Sequence, residues 1–197
     1  MEANRNAEIL AVLYNSAIVS IEGGDISRAA EKLQQALELG GNNPLYLEAL
    51  GLCLYTRGSF RHAKACWTKS AALEGASASA TRYLKHMASE EFISCIKAFN
   101  DCIEAIEKGK YLKALSRLMP SLESIPSVEG YNLAGLLFYK LGMRKSALRL
   151  WKKALCIDLS DKSAAYYISN CKEGLMPLIL EKILWEVLGI AEKLKLL

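Results

Sequence analysis

Gly24-Asp25-Ile26-Ser27-Arg28-Ala29 and Gly58-Ser59-Phe60-Arg61-His62-Ala63 carry one pattern twice, 34 positions apart. The same offset relates Leu13 to Leu47, Ala17 to Gly51 and Leu33 to Trp67. Two further copies run from Gly109 to Ala114 and from Gly142 to Ala147, offset by 33. Recurrence at this period marks a chain built from stacked supersecondary units.

Each position in the unit has a physical reason. A small residue in the first helix (Ala17, Gly51, Cys102, Gly135) lets a second helix come close. A glycine between the helices (Gly24, Gly58, Gly109, Gly142) supplies the left-handed residue that ends a helix and turns the chain. A small residue early in the second helix (Ala29, Ala63, Ala114, Ala147) meets the small site of the first. One turn later a large apolar residue (Leu33, Trp67, Leu118, Trp151) fills the space that remains.

These residues resemble the tetratricopeptide repeat (TPR) family, whose unit is a 34-residue helix–turn–helix. Units two and four carry the resemblance best, through Leu50-Gly51, Tyr55, Gly58, Ala63 and Trp67, and through Ala134-Gly135, Tyr139, Gly142, Ala147, Trp151 and Ala154. Unit one has Ser16 and Ala17 where the family favours Leu-Gly, unit three has Asp101 and Cys102, and the closing proline appears only as Pro126. The resemblance covers about residues 10–160. It implies an all-α, right-handed helical-repeat solenoid of four TPR-like units that binds other polypeptides and performs no chemistry.

A longer period is superposed. Tyr55, Gly58, Ala63 and Trp67 recur as Tyr139, Gly142, Ala147 and Trp151, offset by 84, and so do Ser79-Ala80 as Ser163-Ala164 and Tyr83 as Tyr167. Two units and one extra helix account for that length. The expected organisation is two duplicated halves, each ending in a capping helix (about 78–88 and 162–172), over an apolar end that needs cover. The boundaries are 1–88, 89–174 and a C-terminal apolar helix, 175–197. One continuous superhelix and two lobes meeting near residue 89 are both compatible with this pattern.

Composition agrees with a folded helical chain: 197 residues, 52% hydrophobic, 23% charged and only 4 Pro. Pro44, Pro126 and Pro177 fall at or near expected helix ends. A net charge of +4 is too weak a bias to imply nucleic acid. The densest basic stretch, Arg144, Lys145, Arg149, Lys152 and Lys153, reads as a solvated helix face. Cys53, Cys66, Cys95, Cys102, Cys156 and Cys171 form no CxxC pair. They read as small apolar core residues in a reducing, cytoplasmic setting, and the N-terminus lacks the apolar core of a secretion signal.

Residues 175–197 are apolar on most of their helical surface, with a narrow polar stripe of Lys182, Glu186, Gly189 and Lys193. Charged interruptions make the run a poor membrane span, yet it cannot remain exposed to water. Three readings stand open: a last helix packed on the capping helix, a helix pairing with a second copy, or the start of a further region or membrane-surface helix.

No catalytic, cofactor or metal constellation emerges. His62 and His86 lie in separate helices without patterned partners, Gly23-Gly24 and Gly40-Gly41 are helix ends rather than phosphate loops, and Glu90-Glu91 diverge on a helix. The family resemblance instead implies a concave groove lined by the first helices. Its residues would be Tyr14, Ile18 and Ile21; Glu48, Leu52 and Tyr55; Phe99, Ile103 and Ile106; and Asn132, Leu136 and Tyr139. This mostly apolar lining suits a peptide or amphipathic helix of another protein. Some of these residues have an alternative role in packing between units. The Lys and Asn with which some family members clamp a chaperone's C-terminal carboxylate are missing, since Tyr14, Ile18, Glu48 and Leu52 stand there. Self-association through residues 175–197 is the second expectation.

Overall fold

In the computed structural model, residues 2–75, 77–177 and 179–184 are described. Among them the chain is all-helical: α1 (Glu2–Glu22), α2 (Ile26–Gly40), α3 (Pro44–Arg57), α4 (Phe60–Ala71), α5 (Ala78–Met87), α6 (Glu90–Glu107), α7 (Tyr111–Ser124), α8 (Val128–Lys140), α9 (Arg144–Ile157) and α10 (Lys162–Glu173). Residues 179–184 are helical as well. Helices α1 and α2, α3 and α4, α6 and α7, and α8 and α9 pack as antiparallel neighbours across short turns. Helices α5 and α10 pack on α4 and α9.

The turns are closed by the backbone itself. After each of Gly24, Gly58, Gly109 and Gly142, all at positive φ, the next residue's N–H donates to a carbonyl five residues back. The bonds are Asp25 to Ser20, Ser59 to Leu54 and Lys110 to Ala105 at 2.8 Å, and Met143 to Phe138 at 2.9 Å. This is a left-handed helix stop that satisfies orphan carbonyls. A fifth such stop occurs at Gly174 (φ 77°), where Leu175 N–H donates to the Asn170 carbonyl at 2.9 Å. The chain therefore folds back after α10 and resumes as a helix. Pro120 lies inside α7, on its exposed side.

The helix pairs interlock through a notch. A Cβ built on Gly51 would lie 2.7 Å from Cδ1 of Trp67, and one on Gly135 would lie 2.6 Å from Cδ1 of Trp151. Each indole thus occupies volume that any side chain at the glycine would claim. Both tryptophans are buried, and each donates from Nε1, at 3.2 Å, to the backbone carbonyl of the residue three before its glycine, Glu48 or Asn132. The indole body gains its burial energy while its one polar atom stays satisfied.

The chain divides into two compact units. Among the described residues, the first holds those up to 89 with the short segment Asp158–Ser160; the second holds 90–157 and those from 161 to 184. In the first, Ala17, Ile26, Ala29, Leu33, Leu50 and Cys53 form the core. The N-cap side chain of α2, Asp25, accepts no capping hydrogen bond from the helix's own N–H groups. The fully buried Asp158 carboxylate serves instead, accepting from Ser27 N at 3.1 Å and from Ser27 Oγ at 2.6 Å. Leu159 N–H donates to Gly24 O at 2.9 Å beside it. Burial of this carboxylate is tolerable because several donors converge on it, Ser160 N among them, while the Ser160 hydroxyl donates to Asp25.

In the second unit one core holds Cys102, Ile103, Ala114, Leu118, Leu133 and Leu137. Another joins Leu136, Trp151, Ala164 and Tyr167 to Met176, Leu180, Ile183 and Leu184. The described start of the C-terminal segment is therefore a packed element of this unit. Lys140 pairs with Glu181, and the Arg144 guanidinium donates to the Cys171 carbonyl at the end of α10. The rest of the expected C-terminal helix, residues 185–197, lies outside the described residues.

Candidate interaction surface

In the first unit, Tyr14, Ile18 and Ile21 lie along one side of α1, and Leu52 and Tyr55 lie along α3; all five are half-buried. Helices α1 and α3 touch, and the Tyr14 ring lies 5.2 Å from that of Tyr46. Tyr55 anchors an aromatic group. Its ring centroid lies 5.2 Å from Phe60, 5.7 Å from Trp67 and 5.9 Å from His86, and its hydroxyl is 2.9 Å from His86 Nε2. His86, without a patterned partner in the sequence, thus finds one across the α3–α5 approach. His62 Nδ1 sits 3.2 Å from Ser59 Oγ at the start of α4.

Glu48 shares the α3 register with Leu52 and Tyr55, but its carboxylate is engaged. Ser77 donates to it from Oγ at 2.6 Å and from N at 3.3 Å, and Ser70 Oγ donates at 3.2 Å. Ser77 is the N-cap of α5, its Oγ accepting from Ser79 N at 3.1 Å. Glu48 therefore holds the next helix by its cap.

In the second unit Phe99 and Tyr139 remain half-buried, Tyr139 lying 6.1 Å from the Trp151 ring. Ile103, Ile106, Asn132 and Leu136 are buried, at 3%, 4%, 7% and 0% exposure. As an open lining these four differ from the expectation, for identifiable reasons. Ile103 and Ile106 face the core shared with α7 and α8. Leu136 shares a core with Met176, Leu180, Ile183 and Leu184 of the segment after Gly174. Asn132 donates from Nδ2 to Asp161 Oδ2 at 2.7 Å, and Asp161 is the N-cap of α10, accepting from Ala164 N at 2.8 Å.

All six cysteines are free thiols. Burial pushes the Cys53 thiol from its ordinary 9.0 up to about 12, with the Asp158 charge adding to the rise. Burial alone pushes Cys102 up to about 12, and it raises Cys66 as well. Such thiols are inert. On α9, Lys145, Arg149 and Lys152 are exposed, while Lys153 stands 5.5 Å over the Tyr131 ring. Among the described residues, no group of three or more His, Cys, Asp or Glu is arranged to hold a metal ion. No helix there is long and apolar enough to cross a membrane.

No protein-family model matches the chain. No curated protein matches it either. A similar solved structure comes from a functional characterization of Pseudomonas aeruginosa pilF, with 15% identity over 93% of this chain and 77% of that one. Its TM-score is 0.36, and the likeness carries no argument about fold or function here.

Proposed function

We propose that this chain is a non-enzymatic interaction scaffold that takes a peptide or amphipathic helix of another protein along its first helices. The observation that carries the reading is the half-buried apolar row on α1 and α3: Tyr14, Ile18, Leu52 and Tyr55. Spacings of four and three residues put each helix's members on one face, the spacing at which an amphipathic helix presents its own anchors. The sequence resemblance to tetratricopeptide repeats supports a right-handed solenoid of four units in two duplicated halves, with the row on its concave side. Packing of Met176, Leu180, Ile183 and Leu184 within the second unit favours this reading over dimerisation through the C-terminal helix. Six free thiols support a reducing cytoplasmic location, and the mild net charge supports a protein partner over nucleic acid or membrane.

The test is a peptide library selected against the intact chain, with binders then titrated by fluorescence anisotropy. Binders in the micromolar range, weakened at least about tenfold by Leu52→Arg (about 1.4 kcal/mol), support the reading. Binders indifferent to Leu52→Arg and Tyr55→Ala, or none at all, overturn it.

A further inference from the structure

The two polar pairs at the ends of α5 and α10 occupy equivalent positions, 48 with 77 and 132 with 161, offset by 84 in both members. Both do the same work: a side chain on α3 or α8 grips the N-cap of the following single helix. The chemistry is reversed between them. At 48 and 77 the α3 residue is the acceptor, Glu48, and the cap is the donor, Ser77, at 2.6 Å. At 132 and 161 the α8 residue is the donor, Asn132, and the cap is the acceptor, Asp161, at 2.7 Å. Asn132 and Asp161 are both buried. The apolar surroundings, by contrast, nearly repeat: Trp67 as Trp151, Ala80 as Ala164, Tyr83 as Tyr167. At these three positions the apolar residues do not distinguish α5 from α10.

We propose that these reversed pairs are a matching code that assigns each capping helix to its own half during folding. A crossed arrangement would set Glu48 against Asp161, two acceptors facing each other at a half-buried site where each now faces a donor. Like charges so placed repel, and each carboxylate loses the donor that its own partner supplies. Asn132 against Ser77 is neutral, so the penalty falls on one crossed contact. That contact is enough, because exchanging the two helices requires both.

The experiment compares four chains: wild type, Ser77→Asp, Glu48→Asn, and Glu48→Asn with Ser77→Asp. The last gives both halves the same Asn–Asp chemistry. Ser77→Asp alone should lower the thermal midpoint by about 4–10 °C, and adding Glu48→Asn should return most of that loss. The restored double variant should refold from urea with a lower native yield, or with an added slow phase, because α5 and α10 are then interchangeable at their caps. The reciprocal set, Asn132→Glu with Asp161→Ser, makes the same comparison from the other half if the first set fails to fold. Single and double losses that simply add would show the pairs to be uncoupled. A restored variant refolding with wild-type yield and phases would show a local bond with no role in selection. Either result overturns the proposal.

Discussion

Replacing Gly135 with alanine tests the notch at the centre of the second unit. The new Cβ would lie 2.6 Å from Trp151 Cδ1 and 2.7 Å from Cε2, and nearer still to Nε1. Ordinary contact is about 3.5 Å, so the indole has to retreat by about 1 Å. It has nowhere to go: Trp151 is fully buried, with Tyr139 and Tyr167 rings 6.1 and 5.5 Å away. Movement also breaks the 3.2 Å bond from Nε1 to the Asn132 carbonyl. Overpacking costs about 1–3 kcal/mol and a buried N–H without an acceptor about 1–3 more. Alanine returns about 1 kcal/mol through its helix propensity. The net expectation is a loss of about 1–5 kcal/mol, or about 2–20 °C in thermal midpoint for a chain of this length. Circular dichroism and tryptophan fluorescence during urea and thermal melts would measure it. Trp151→Leu is the second arm: with the indole gone, Gly135→Ala should cost less than about 1 kcal/mol. A Gly135→Ala chain as stable as wild type, or one equally destabilised in both backgrounds, would refute the steric account.

Asp158→Ala removes the acceptor for Ser27 N and Oγ, and should cost about 2–4 kcal/mol in a urea melt; a loss under about 0.5 would dismiss the remote cap. Cys53 and Cys102 ionise near 12 in the folded chain against 9.0 ordinarily, so the unfolded chain loses these protons first. Their contribution to stability is whole below pH 9 and falls as pH rises towards 12; urea midpoints at pH 8 and 10.5 should show the decline, and Cys53→Ala with Cys102→Ala should flatten it. A thiol reagent on the native chain should label exposed Cys156 well before Cys53 and Cys102, and equal rates would contradict their burial.

The helices and their turns were legible because their signals are local. A glycine at positive φ, a small residue at a close approach and a large apolar residue one turn on recur often enough to be seen without partners. Gly51 facing Trp67 and Gly135 facing Trp151 are that pattern in space. The side-chain partners were not legible. Glu48 and Asn132 stand at register positions shared with Leu52 and Leu136, and nothing in either helix says that a cap 29 residues later will take them. Asp158 reads as an ordinary loop residue, since its meaning comes from Ser27, 131 positions away. Pro177 signalled a new helix after 174, but the apolar run that follows gave no sign of which core it would join. Periodicity ranks positions by face, and burial then depends on which neighbour arrives.

The reversed cap pairs also bear on ancestry. If the halves descend from one duplicated segment, a copy has passed between Glu–Ser and Asn–Asp by two substitutions. One order passes through Glu with Asp, two carboxylates meeting at a buried cap. The other passes through Asn with Ser, which is uncharged and still bonded. Selection on folding would therefore permit one historical order and close the other, so an ancestor at this site is expected to carry Asn with Ser, Glu with Ser or Asn with Asp, and not Glu with Asp.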